Sequence, residues 1–273
     1  MGMDIQVLGR GNAFTTRFFN TSFLVQSGRA FLVDTPQALF RVLDRYRIPV
    51  TEINDVILTH LHGDHCAGLE TLLLWKRHFE DRRIRLYTTG RIFKDFRELY
   101  FPRFSHGFSP DLKTIVSATV EDYLEFCPLS EAAPTQLDPG LELDVRYNWH
   151  PLPTLGLKFR SPLGSVGISG DTCFRPSLLR ELVDEGTISE DRYEALAGGW
   201  LWGADVIYHE ADRTPGTSHT LEADLLQLPT EIRNKIRLVH VPDGFQKDRL
   251  PIAQEGERLR FSAPGEFQVI SPL

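Results

Sequence analysis

Thr59-His60-Leu61-His62-Gly63-Asp64-His65 decides how this chain is read. It follows the apolar run Val56-Ile57-Leu58, which has the length of a buried strand. It precedes Leu69, Leu72 and Leu73, which recur at helical spacing after Gly68. Three imidazoles and a carboxylate packed this densely cannot sit in a core unless each ring nitrogen finds a partner. A metal site needs this density of donors. In an extended segment, alternation projects His60 and His62 to one side, giving one cation two nitrogen ligands. Asp64 and His65 follow at the turn into the helix and can reach a second cation. Further ligands should stand where other strands end. His150 follows the Val145–Trp149 segment, Asp171 follows Val166-Gly167-Ile168-Ser169-Gly170, and His240 closes the apolar run Ile236–Val239.

Outward from this stretch, strand-length apolar runs alternate with helix-period segments. Ile5–Leu8, Phe23–Val25, Phe31–Val33, Ile84–Tyr87 and Val206–Tyr208 read as strands. Leu39, Val42, Leu43 and Tyr46 predict a helix after the Asp34-Thr35-Pro36 turn, and Phe93, Phe96 and Tyr100 predict another. Ser177–Leu182 and Leu221–Leu228 are helix-like. Lys158–Gly170 reads as a hairpin turning at Pro162-Leu163-Gly164. There is no internal repeat and no linker long enough to hold separate domains apart. The expectation is one α/β domain over residues 1–273, with an excursion rich in Phe, Pro and Arg at about 100–139. That excursion is a surface element with a small core of its own, or a cap that brings aromatic walls and Arg91, Arg97 or Arg103 to a substrate.

The composition bounds the partners. Thirty Lys and Arg against 37 Asp and Glu give a net charge of −7, so the chain has no general pull on nucleic acid or anionic lipid. No stretch approaches the roughly 18 apolar residues of a membrane span. The start of the chain lacks the pattern of a secretory signal. Three widely spaced cysteines, Cys66, Cys127 and Cys173, form no disulfide framework and suit a reducing compartment. A cytoplasmic location is the expectation.

H-x-H-x-D-H, a single His, an Asp in the Ser169-Gly170-Asp171-Thr172 turn and a last His after a strand resemble the metallo-β-lactamase superfamily. The resemblance covers essentially the whole chain, including Leu8–Ala13 and Phe31–Asp34. It implies a four-layer αβ/βα sandwich with two divalent ions at one edge. His60, His62 and His150 would hold the first, Asp64, His65 and His240 the second, and Asp171 would bridge both. Zinc suits these ligands, as do manganese and iron. Asp34 resembles the superfamily's carboxylate that orients a ligand from behind.

His209-Glu210-Ala211-Asp212 resembles the H-E-A-T motif of the phosphodiesterase branch that contains tRNase Z, with Asp212 where that motif has Thr. Ser218-His219-Thr220 stands where the branch has H-S-T, with Ser and His exchanged. The resemblance implies that His219 contacts the phosphate and protonates the leaving oxygen, that Glu210 orients His219, and that Asp64 or Asp171 orients the attacking water. His150 and Asp171 lie 21 positions apart, too close for the long tRNA-grasping arm of short-form tRNase Z. The spacing is more like that of small cyclic-phosphodiester hydrolases.

The expected activity is therefore metal-dependent hydrolysis of a small or cyclic phosphodiester, by a monomer or a homodimer. The alternatives are a tRNase Z-like endoribonuclease, a thioesterase or lactonase on the same scaffold, and a scaffold protein without activity. His78 and His106 have no motif context. Cys66 and Cys173 read as small thiols near the second cation, with thiolate ligation as the alternative. Trp149, Trp200 and Trp202 read as core or rim.

Overall fold

The computed structural model describes residues 2–109, 111–197, 199–246 and 249–272. The chain begins with β1 (Asp4–Gly9), β2 (Ser22–Ser27), β3 (Arg29–Val33) and α1 (Leu39–Arg45). It continues through β4 (Asp55–Ile57), α2 (Gly63–Cys66), α3 (Leu69–Trp75), β5 (Ile84–Thr89) and α4 (Gly90–Asp95). A hairpin of β6 (His106–Phe108) and β7 (Ile115–Ser117) follows. After it come β8 (Leu124–Leu129), β9 (Thr135–Asp138), β10 (Leu141–Tyr147), β11 (Leu155–Ser161) and β12 (Gly164–Ile168). Helices α5 (Pro176–Asp184) and α6 (Glu190–Ala197) precede β13 (Val206–Glu210). Helices α7 (Glu222–Leu225) and α8 (Thr230–Arg233) precede β14 (Ile236–Val239). β15 (Arg258–Ala263) and β16 (Glu266–Ile270) complete the fold.

The strands form an eight-stranded sheet, β16-β15-β1-β2-β3-β4-β5-β8, and a six-stranded sheet, β14-β13-β12-β11-β10-β9. Their facing sides share one apolar cluster that holds Ile5, Val25, Phe31 and Val56 from the first sheet and Leu143, Leu157, Phe159 and Val166 from the second. β13 shows the layering at single-residue resolution. Val206 and Tyr208 enter this cluster, whereas Ile207 enters a second one with Leu225 of α7 and Leu238 of β14. A strand's alternation thus serves two cores.

Strand direction positions the site. β3, β4, β5 and β8 are mutually parallel, as are β12, β13 and β14. β10 runs with β12, because each is antiparallel to β11. All the candidate ligand positions therefore lie at or beyond carboxyl ends of codirectional strands, where open α/β sheets form their clefts.

The predicted Lys158–Gly170 hairpin forms as β11 and β12, with Ser161 opposite Gly164. The helix-like Leu221–Leu228 is shorter than expected: only Glu222–Leu225 is α-helical. Its remainder closes in turn bonds, Gln227 N–H to Asp224 O and Leu228 N–H to Leu225 O. Helix α6 is not among the helices read from the sequence and buries no side chain deeply. Within 100–139, β8 and β9 belong to the two large sheets. The described residues of 101–123 stand outside both. No helix of the described residues is long and apolar enough to cross a membrane.

Candidate metal centre and its flanking acid-base pair

The carboxyl end of β4 delivers the first residues. Thr59 N–H and Oγ1–H donate to Asp34, each at 2.8 Å, and Asp34 Oδ2 accepts from His65 Nδ1 at 2.7 Å. Asp34, with φ of 60°, and His240, with φ of 52°, both occupy left-handed backbone space, a conformation that costs about 1 kcal/mol or more for a non-glycine residue. Each is held there. Asp34 N–H donates to Ile57 O at 2.9 Å, and His240 N–H donates to Thr21 Oγ1 at 3.0 Å. Gly170 turns the chain into Asp171 with φ of 60°; a Cβ there would meet Leu155 O at 2.3 Å. Only glycine fits that turn. Asn148 Nδ2 ties the two approaching loops together by donating to Ser169 O at 2.7 Å and Asp171 O at 2.9 Å.

Two clusters result. In the first, His62 Nδ1 lies 3.1 Å from His60 Nε2 and 3.2 Å from His150 Nε2. Asp171 Oδ2 lies 3.6 Å from His60 Nε2. These four donors fall within 4.8 Å of one another. In the second, Asp64 Oδ2 lies 3.3 Å from His65 Nε2 and 3.2 Å from His240 Nε2. Asp171 reaches both rings, at 3.3 Å and 3.6 Å. The seven candidate positions read from the sequence therefore lie together, with Asp171 against both groups; Asp171 and His240 also fall within 4.8 Å of Glu210 and His219.

Their electrostatics suit cations. Burial, with His65 beside it, pushes His60 far below its ordinary range. Burial also lowers His62 and brings His150 down to about 4. These three rings are neutral and offer lone pairs. Burial opposes charge on His65 and His240 too, but Asp171, Asp34 and Asp64 outweigh it: His65 is held well above its usual value and His240 at about 10. Asp64 and Asp171 stay ionised despite burial because these imidazoles face them. His65 Nε2 is buried without a hydrogen-bond partner while two carboxylates stand 3.3 Å away. Nitrogen and carboxylate donors with such an orphaned atom fit divalent cations such as zinc.

Glu210 ends β13 fully buried. Its Oε1 accepts from Thr172 N–H at 2.7 Å and Thr220 N–H at 3.2 Å, and its Oε2 accepts from His219 Nδ1 in a short hydrogen bond. Burial opposes the charge on His219, yet the Glu210 carboxylate raises its pKa above the usual value. The His219 ring centre lies 5.8 Å from that of His150 and 5.0 Å from that of His240. The pair inferred from Ser218-His219-Thr220 thus flanks both clusters. Asp212, where the motif has Thr, caps its own turn by accepting from Arg213 and Thr214 N–H at 2.6 and 2.8 Å.

Other candidates fall outside. His78 and His106 are exposed. His209 is buried and stacks on Trp202, with centroids 5.5 Å apart. Cys66 and Cys173 are buried, and burial pushes the Cys66 thiol up to about 12 and raises that of Cys173. Neither joins a metal-capable group among the described residues, so the thiolate alternative finds no support. Arg91 and Arg97 are exposed, and Arg103 pairs with Glu70 at 3.5 Å and lies over Tyr100. Thr59, Thr172 and Thr220 lie inside the quoted motifs, which give them no role; they hold Asp34 and Glu210 in place. Their only signal in the sequence is that position.

Known proteins resemble this chain along most of its length. It is 30% identical over 253 residues to Anti-Pycsar protein Apyc1 of Paenibacillus sp. (strain J14), covering 91% of this chain and 93% of that one. It is 29% identical over 241 residues to cAMP/cGMP-dependent 3',5'-cAMP/cGMP phosphodiesterase B of Dictyostelium discoideum. That match takes in 88% of this chain, which spans only about a fifth (20%) of the Dictyostelium protein. Among solved structures, the metallo-β-lactamase fold protein YhfI of Bacillus subtilis superposes with a TM-score of 0.69 at 18% identity, over 95% of this chain and 100% of that one. Human tRNase Z, short form, gives 0.63 at 18% identity, over 93% and 98%. The fold is the metallo-β-lactamase sandwich. The sequence model of the Anti-Pycsar protein Apyc1 family matches residues 3–267, and the chain belongs to that family.

Proposed function

We propose that this protein is a metal-dependent phosphodiesterase acting on 3',5'-cyclic nucleotides, with His60, His62, Asp64, His65, His150, Asp171 and His240 holding two divalent cations. The observation that carries this reading is the Glu210–His219 pair set beside both ligand clusters, together with the names of the relatives. A carbonyl hydrolase on this scaffold would not require such a pair. Zinc fits the nitrogen-rich first cluster, and manganese or iron fits the carboxylate-rich second one as well.

The bound cations would acidify a water and neutralise charge on the phosphate oxygens. Asp64, besides holding a cation, would offer its carboxylate to orient that water. Glu210 takes His219 Nδ1–H, which leaves Nε2–H free to face the cleft. As the P–O bond breaks, His219 Nε2 gives its proton to the leaving ribose oxygen. Glu210 stabilises the imidazolium before transfer, and afterwards His219 Nε2 takes up a new proton from solvent water that reaches the cleft.

In the same reading the chain acts as one domain in the cytoplasm, and the stretch that begins at Tyr100 serves as a cap. Tyr100 donates its hydroxyl to Cys66 O at 3.2 Å, next to His65. Phe108 and Ile115 are exposed on the β6–β7 hairpin, a surface suited to a second copy of the chain. The net charge of −7 argues against a polymeric nucleic-acid substrate.

The test is turnover by zinc- and manganese-loaded protein of 3',5'-cAMP, 3',5'-cGMP, a tRNA precursor, a thioester and a lactone. The expected product is a nucleoside monophosphate. Turnover confined to the thioester or lactone would overturn the reading.

A further inference from the structure

Phe14 is 88% exposed. A single exposed apolar side chain needs no explanation by itself, but this one is set in a fastened turn. Its N–H donates to Asn12 Oδ1 at 3.0 Å. The next residues are tied to Asp243: Thr15 by its hydroxyl, and Thr16 by its N–H at 2.8 Å and its hydroxyl at 2.7 Å. Asn12 N–H also donates to Val241 O at 3.3 Å. The turn is thereby attached to the segment that carries His240.

Phe14 lines a cavity of about 500 Å³ whose other walls include Asp212, Thr217 and Pro242. Each of these stands two positions from a residue of the site: Asp212 from Glu210, Thr217 from His219, and Pro242 from His240. Two residues of chain span at most about 7 Å between Cα atoms. The cavity therefore opens beside the proton-donating flank of the centre. In a 3',5'-cyclic nucleotide one furanose ring separates the phosphate from the base, so the base comes to rest a similar distance from phosphorus.

We propose that this cavity is the nucleobase subsite and that Phe14 is its stacking residue, an inference that rests on the cyclic-nucleotide reading. An aromatic face accepts any base, because every base has a π-face. Phe14 needs little reordering to offer its ring, since the turn is already fixed by Asn12 and Asp243. Its contribution is to binding, and the proton transfer at His219 is untouched by it.

The test is steady-state kinetics of the metal-loaded wild type, Phe14→Ala and Phe14→Trp on 3',5'-cAMP and on methyl p-nitrophenyl phosphate, a phosphodiester without a base. Phe14→Ala should raise KM for the cyclic nucleotide about tenfold with little change in kcat, and Phe14→Trp should restore it. Turnover of the base-free ester should be the same in all three. If the wild type hydrolyses cAMP and Phe14→Ala leaves its KM unchanged, the subsite is wrong and the activity stands. If the wild type hydrolyses the base-free ester but no cyclic nucleotide, the parent reading fails and the subsite with it.

Discussion

The two halves of the ligand cluster share Asp171 and little else. The first, His60, His62 and His150, is built of rings that burial keeps neutral, and two of its members are half-buried. The second, Asp64, His65 and His240, is built around carboxylates, and its rings hold protons against them. A cation entering the first half meets ready lone pairs. One entering the second must displace protons that already satisfy the same carboxylates. Equal ligand counts therefore do not make equal sites, because the neighbouring charge decides the resting state.

The bridge is where the comparison breaks most completely. Asp171→Ala should empty both halves at once and abolish turnover, read as metal content by mass spectrometry alongside activity. If the variant keeps metal in the first half, its three histidines suffice and the bridge matters only to the second. Replacing the flanking acid separates chemistry from binding. His219→Ala should keep wild-type metal content while kcat falls about 100- to 10,000-fold. Glu210 raises the His219 pKa, so the proton is present below that pKa and activity falls as pH rises through it. Glu210→Gln should move that basic limb to lower pH.

Asp34 touches the second half directly, through His65, and reaches His60 of the first only through Thr59, whose Oγ1 lies 3.0 Å from His60 Nδ1. Asp34→Asn should weaken metal binding in the second half about 10- to 100-fold and in the first half less, measured by competition with a chromogenic chelator. The last contrast is graded by pH. With His65 held well above its usual value and His240 at about 10, zinc affinity of the second half should drop, as pH falls, about tenfold per pH unit for each proton displaced, and so about a hundredfold per unit where both rings are protonated. The first half should vary less across the neutral range, because burial keeps its three rings below their usual values, His150 at about 4. Parallel slopes in calorimetric titrations would show the two halves to be alike after all.

The order of the residue types along the chain pointed to the candidate ligands, and the family resemblance supplied their division between two ions. H-x-H-x-D-H carries its own geometry, since alternation and one helical turn are local properties. Strand ends could be read from apolar runs, which is why His150, Asp171 and His240 were legible as partners for the cluster. Tertiary structure alone decided the proton placement, because burial and opposing carboxylates come from segments far apart in sequence: Asp34 reaches His65 across 31 positions and Asp64 reaches His240 across 176. It also decided the short length of α7, the membership of β8 and β9 in the large sheets, and the pinning of the Phe14 turn by Asp243 across more than 200 positions. Periodicity is a short-range signal, whereas sheet order, dielectric environment and cavity walls are set by contacts that no local window contains.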